Sequence, residues 1–414
     1  MNHASENLSR VFQAVPGEII RGKRLQLIGP AGACVLGQML LREFVQPVCL
    51  VKLQRLRPHG FVIAEPREQL HDPFSSLLWL IPLHVETSAF EDEFAAACGA
   101  AYAVGVASGT DAIELALRAL GIGPGDEVIT QANTCVPTVT AIERAGATPV
   151  LCDVEPEAGT MSAESLAGAL GEKTRAVVPV HLYGQCADVD AIADVCAGRG
   201  IDIVEDCAQA AGAQLRGRGA GTIGMLGCFS FYPTKNLAAL GDGGAVVTND
   251  EALAKRLRLV RRYGQSDRYR HVGKGVNSRL DELQAAVLRT RLPYLSGWNR
   301  RRAEIAARYT EALAQTVARP LERLEGRRHV FHLFVVEAPD RDPLKAHLEG
   351  AGVATLIHYP VPIHGHPPYR GLADGPVPLS VSERLCERIL SLPIYPELRD
   401  DEVERIVDAL ATFA

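Results

Sequence analysis

Tyr102-Ala103-Val104-Gly105-Val106-Ala107-Ser108-Gly109-Thr110-Asp111 reads as a short apolar strand that runs into a helix. The helix expected over 111–120 carries Ile113, Ala116, Leu117 and Leu120 on one face. The pattern then repeats. A strand is expected over 127–130, a helix over 136–145 and a strand over 148–153. Further buried strands are expected over 176–180 and 201–205. Glycine and proline mark the joints, as in Gly121-Ile122-Gly123-Pro124-Gly125-Asp126. Strands alternating with helices at this spacing predict an α/β domain built on a largely parallel sheet.

On the carboxyl side the chain turns helical from Asp281 to about residue 314, with Arg300-Arg301-Arg302 expected on a solvated face. A strand over 332–336, a helix over 344–349 and a last helix over 401–410 suggest a smaller α+β domain. On the amino side, Phe90, Phe94 and Ala97 recur at helical spacing. Before residue 85 the periodicity fails. Residues 1–84 hold nine Lys/Arg against six Asp/Glu, while the chain as a whole is acidic. Apolar clusters such as Ser75-Ser76-Leu77-Leu78-Trp79-Leu80-Ile81 are broken by prolines at irregular places. The expected organisation is an atypical segment over 1–84, a large α/β domain over 85–290 and a small α+β domain over 291–414. The first segment is either a reading-frame error or misplaced start, or a genuine extension. Peptides matching residues 25–80 in protein from the native cell would exclude the frame error.

With 414 residues the chain has room for two or three domains. Charged residues make up 22% and hydrophobic ones 47%, as in an ordinary globular protein. The net charge of −6 argues against nucleic acid as a partner, since phosphate backbones select basic surfaces. Ten cysteines form no C-x-x-C pair, so they read as small buried hydrophobes in a reducing compartment, with no metal site. The longest uncharged run, 25–41, is interrupted by Gly29, Pro30, Gly32 and Gly37 and is too short to span a bilayer. A cytoplasmic location without membrane contact is expected.

The chemistry centres on Phe229-Ser230-Phe231-Tyr232-Pro233-Thr234-Lys235-Asn236-Leu237. A lysine between an apolar strand and Gly241-Asp242-Gly243-Gly244 is a candidate for partial desolvation. Such a lysine loses its proton easily and becomes a nucleophile toward aldehydes. Val204-Glu205-Asp206 puts an acid at the carboxyl end of a buried strand, where it could hold a pyridine nitrogen protonated. Ala107-Ser108-Gly109-Thr110-Asp111 joins strand to helix and offers backbone N–H groups to a phosphate, with the Ser230 hydroxyl in reach. Lysine, acid and phosphate cradle together point to pyridoxal 5'-phosphate (PLP).

These motifs occur in an order that resembles the DegT/DnrJ/EryC1/StrS family of sugar aminotransferases. The likeness includes Ala107 to Ala112, Pro179-Val180-His181-Leu182-Tyr183-Gly184-Gln185 and Glu205-Asp206-Cys207-Ala208-Gln209-Ala210. It continues through the lysine stretch, Asn277-Ser278-Arg279-Leu280-Asp281, Ile357-His358-Tyr359-Pro360 and Ser391-Leu392-Pro393, covering roughly residues 85–414. The resemblance implies the aspartate-aminotransferase-like fold, PLP-dependent transferase fold type I, with a seven-stranded, mainly parallel sheet. It implies that Lys235 is the catalytic residue and forms a Schiff base with the cofactor. Asp206 would hold the pyridine nitrogen and Gln209 would lie near the ring hydroxyl. Gly109, Thr110 and Ser230 would hold the phosphate, and Asn277 would reach it from the second subunit of a homodimer with shared active sites. The implied reaction moves an amino group from L-glutamate to a nucleotide-linked keto-sugar. His181-Leu182-Tyr183-Gly184-Gln185 leans toward a dTDP-3-keto-6-deoxyhexose, with His181, Tyr183 and Tyr359 as candidate substrate contacts. A keto-cyclitol, a 4-keto sugar or a non-catalytic PLP-binding role stays open.

Two departures stand out. Asn133-Thr134-Cys135-Val136-Pro137-Thr138 has a thiol where the family places an aromatic ring against the cofactor, so Cys135 is expected to pack there as a small apolar group. The other is the segment 1–84.

Overall fold

Ser108 shows how a strand hands over to a helix. Its Oγ accepts from the Asp111 N–H at 3.1 Å, which caps the helix that follows the first strand. The computed structural model describes residues 85–413, and the expectations for residues 1–84 lie outside them. The chain enters through α1 (Val85–Cys98), β1 (Tyr102–Val106) and the capped α2 (Gly109–Leu120). Next come β2 (Glu127–Gln131), α3 (Val136–Ala145), β3 (Thr148–Cys152), α4 (Ala163–Ala169) and β4 (Thr174–Val178). Helix α5 (Val189–Cys196), β5 (Asp202–Asp206), β6 (Leu226–Ser230), β7 (Gly244–Thr248) and α6 (Glu251–Val260) complete this part.

The seven strands form one sheet in the order β1-β7-β6-β5-β4-β2-β3. Only β7 runs antiparallel to its neighbours. Both faces are covered, so the strands are buried along most of their length, with Glu205 and Asp206 of β5 among the buried polar residues. Phe90, Phe94, Phe229 and Phe231 pack on one face, with Phe94 edge-on to Phe229 at 5.0 Å between centroids. Leu115, Leu117, Ile142 and Val246 pack on the other. Strand β6 shows the alternation: Leu226 and Cys228 join the second cluster and Phe229 the first. The carboxylate of Glu282 caps the start of α1, accepting from the Glu86 N–H at 2.8 Å and the Thr87 N–H at 3.2 Å.

The remainder begins with α7 (Glu282–Arg291) and α8 (Leu295–Leu313). Helix α8 starts with Leu295 in the aromatic cluster and ends with Ile305, Tyr309 and Leu313 in a separate core. That core lies under a three-stranded sheet of β8 (Arg319–Pro320), β9 (Phe334–Glu337) and β10 (Ile389–Leu392). It also takes residues from α9 (Arg341–Gly350) and α11 (Asp400–Ala411), while α10 (Ser380–Arg388) packs elsewhere.

Most expected elements are present within a residue or two. The strand expected over 332–336 begins instead at Phe334. The cause is local: Phe331 has φ +46°, and its carbonyl accepts from buried Arg302 at 3.2 Å, which holds a turn where a strand would start. The strand expected over 176–180 ends at Val178. Val180 makes a single bridge to Asp206 instead.

Candidate active site

Val106, Gly244, Ser230 and Asp206 lie along one edge of the sheet, at or just beside the carboxyl ends of the parallel strands. Open α/β sheets present their ligand crevices there. Glycines let the surrounding backbone close in. A β-carbon on Gly109 would lie 2.7 Å from Ser230 Cβ, and one on Gly244 would lie 2.4 Å from the Ser108 carbonyl oxygen. The first turn of α2 therefore meets the Ser230 side chain directly. The N–H groups of Gly109 and Thr110 have no carbonyl within their helix to accept them, and the helix dipole adds partial positive charge. Unspent N–H donors, the helix dipole and the adjoining Ser230 hydroxyl together suit an anion such as phosphate.

Asp206 ends β5 and is buried. Its Oδ2 accepts from Thr138 Oγ1 at 2.8 Å and its Oδ1 from the Ala208 N–H at 3.0 Å. Burial pushes its pKa up, and the Ala208 amide, Thr138 and the Lys235 charge only partly offset this. A carboxylate in this state lacks a cation, and a protonated ring nitrogen would supply one. Across the pocket, burial pulls the Lys235 ammonium down, against the pull of Asp206 and Cys135. The residues present fit a pyridine ring bearing a phosphate and an aldehyde.

The other expected residues fall into two groups. Gln209 faces the pocket: its Oε1 accepts from the Tyr183 N–H at 2.6 Å and its Nε2 donates to Tyr359 Oη at 3.1 Å. Tyr359 is thereby placed at the pocket. Cys135 precedes the first turn of α3, near Lys235 and Asp206 and bonded to the Tyr359 hydroxyl. Burial pushes its thiol up, so it stays neutral. Asn277 is exposed, with Oδ1 accepting from Arg279 Nε at 3.0 Å.

His181 does not meet the expectation of a substrate contact. It is 0% exposed, and both ring nitrogens are taken. Nδ1 accepts from the Ala187 N–H at 3.1 Å, so the proton sits on Nε2, which donates to Glu205 Oε2 at 2.7 Å. Tyr183 is also buried, and its hydroxyl donates to the His358 carbonyl at 2.6 Å, so it supports the loop carrying Tyr359. The physical reason is the same for both. Their motif continues β4 alongside β5, with the His181 N–H donating to the Asp206 carbonyl at 3.0 Å, and a buried polar group must spend its hydrogen bonds on the protein.

Sequence reasoning missed Thr138 and Glu205. Thr138 stands three residues after Cys135 in the first turn of α3, a polar group on an otherwise buried face, and that spacing was a usable signal. Nothing local distinguishes Glu205 from Asp206 beside it.

Several comparisons bear on this site. The family model for the DegT/DnrJ/EryC1/StrS aminotransferase family matches residues 77–411. The chain is 47% identical over 331 residues to dTDP-3-amino-3,4,6-trideoxy-alpha-D-glucose transaminase of Streptomyces venezuelae, covering 80% of this chain and 87% of that one. It is 45% identical to UDP-N-acetyl-3-dehydro-alpha-D-glucosamine 3-aminotransferase of Acidithiobacillus ferrooxidans, covering 78% and 87%. A solved structure of NtdA from Bacillus subtilis, with the cofactor PMP bound, superimposes with a TM-score of 0.73 at 31% identity, covering 78% of this chain and 76% of that one.

Proposed function

The chain belongs to the DegT/DnrJ/EryC1/StrS aminotransferase family, and we propose that it moves an amino group from L-glutamate to carbon 3 of a nucleotide-linked keto-sugar. Membership makes it a PLP-dependent sugar aminotransferase. Carbon 3 is proposed because the names of both relatives place the amino group there. They differ in nucleotide, and the proposal of a dTDP-3-keto-6-deoxyhexose follows the relative of higher identity.

The observation that carries the reading is the pair Lys235 and Asp206: a half-buried amine and a buried, under-partnered acid across one pocket. PLP, when bound, supplies an electron sink for the carbon that gives up a proton. This chain's side chains do the rest. Gly109, Thr110 and Ser230 would hold the phosphate, Asp206 the ring nitrogen, and Gln209 the ring-hydroxyl side. Cys135 would face the ring plane. Lys235 Nζ, less readily charged in its desolvated setting, accepts the donor's α-proton and returns it on the far side of the transfer. Tyr359, held by Gln209, would contact the sugar.

A homodimer is part of the proposal. Tyr232, Leu240, Tyr263, Val272 and Leu283 are exposed, and exposed Asn277 lies in the same stretch of chain. A second copy would cover them and receive Asn277 at its own phosphate site. A monomer mass by light scattering under active conditions would remove this element.

The test is the absorbance of the purified protein loaded with PLP. A yellow band that bleaches on adding L-glutamate and returns with the keto-sugar is expected. Lys235→Ala is expected to lower turnover by about 10²–10⁴-fold. A band unmoved by any amino donor would favour a non-catalytic binding role, and colour restored only by a keto-cyclitol would replace the sugar.

A further inference from the structure

A buried chain of amide and imidazole groups ties the small-domain elements to the lysine loop. Asn236, next to Lys235, donates from Nδ2 to Asn299 Oδ1 at 2.8 Å and to the Val330 carbonyl at 3.0 Å. Two carbonyl-type acceptors fix the orientation of this amide, so Oδ1 is the atom facing His332 Nδ1 at 3.1 Å. His332 must therefore carry its proton on Nδ1. Asn299, on α8, spends its own Nδ2 on the Ala211 carbonyl at 2.9 Å. Ala211 lies two residues beyond Gln209, and a β-carbon on neighbouring Gly212 would come within 2.8 Å of that same Nδ2.

The chain is enclosed. Asn236, Asn299 and His332 are all buried. Arg302, one turn after Asn299, clamps the far side by donating to the Ile394 carbonyl at 2.7 Å and the Phe331 carbonyl at 3.2 Å. Burial pulls its pKa down to about 10. Burial also holds the His332 imidazole well below its ordinary range; the charges of Lys235 and Arg302 act in the same direction, and the neighbouring imidazoles of His358 and His329 are themselves pulled down by burial. His332 is thus a neutral donor at working pH. Buried polar networks of this kind hold one geometry because each lost bond leaves a group without a partner.

We propose that His332 is a positioning residue: through Asn236 and Asn299 it registers the peptide carrying Lys235 against the turn carrying Gln209, so that the lysine side chain can move while its anchor stays fixed. The inference rests on the reading of Lys235 as the proton carrier. A displacement of about 1 Å in such a group can cost ~10²-fold in rate.

The experiment uses the PLP-loaded enzyme. His332→Asn places an amide nitrogen near the position of Nδ1, whereas His332→Phe removes the donor. The yellow band is titrated with pH, and kcat and KM for the keto-sugar are measured separately. His332→Phe is expected to move the band's midpoint and to lower kcat by about 10–100-fold with KM little changed. His332→Asn is expected to stay close to wild type in both. Should His332→Phe fail to fold, Asn236→Ser, which is too short to join the three partners, carries the same expectation. A variant folded by circular dichroism with unchanged band and kcat would overturn the proposal. So would His332→Asn behaving like His332→Phe, which would assign the effect to Nε2. A wild-type protein without a glutamate-sensitive band would instead overturn the functional reading itself, and this inference with it.

Discussion

Glu205 and Asp206 are neighbours on one strand and face opposite regions. Behind the strand, Glu205 is surrounded. Its oxygens accept from His181 Nε2 and from the N–H groups of Gly221, Ile223 and Gly224, all at 2.6–2.8 Å. Burial acts to raise its pKa, but His181 and the backbone amides outweigh it, and the net shift is downward. In front, Asp206 has only Thr138 and Ala208, and its pKa is raised. A satisfied carboxylate is part of the scaffold. An unsatisfied one is held ready for a ligand, at a cost to the empty protein. Cys207 also lies close to His181 and Glu205, with the three ligand atoms within 4.8 Å. The donors already spent on Glu205 and His181 leave that group a structural plug.

The sharpest way to break this contrast is to neutralise each acid in turn. Asp206→Asn should lower kcat by about 10²–10³-fold, since it removes preorganised charge from the reacting site. The same variant, stripped of cofactor, should melt higher than wild type at neutral pH. Glu205→Gln should do the reverse: its amide nitrogen would face buried donors that now have an acceptor, which costs about 1–3 kcal/mol, while kcat per folded molecule stays within a small factor. Equal loss of activity in both variants, with equal melting temperatures, would end the distinction.

The pH dependence separates the two more gently. The folded pKa of Glu205 lies below its ordinary 4.5, so its contribution is present above that value and fades as pH falls through the folded pKa. The folded pKa of Asp206 lies above its ordinary 3.8, so the apoprotein bears its cost at neutral pH and is relieved of it in acid. Melting curves of the cofactor-free Asp206→Asn variant and wild type should therefore converge as pH drops below about 4. The smallest effect is expected at Cys135, a neutral thiol. Cys135→Ala should change cofactor affinity by less than about tenfold, because one small apolar contact is worth roughly 1 kcal/mol. A larger loss, read by fluorescence titration, would make the thiol a specific ligand.

The pocket's front was legible in the chain because its parts are local. Ser108 to Asp111 must begin a helix, Asp206 must end a buried strand, and Lys235 follows another; each can be read from a few neighbouring residues. His181 and Tyr183 were misplaced because their motif is equally local but says nothing about which side chains the packed sheet buries. His332, Asn236 and Asn299 were unread for a different reason. Asn236 is 63 residues from Asn299 and 96 from His332, and each looks like an ordinary polar residue in its own setting.

The sequence by itself determined the strand–helix alternation and the cofactor class and singled out Lys235 as the candidate, since periodicity and residue type act over short range. Only the tertiary structure decided which carboxylate is satisfied and which is left wanting a cation. It also brought a histidine from a distant strand entry into contact with the lysine loop. Burial and hydrogen-bond satisfaction belong to the packed molecule, and no short stretch of chain carries them.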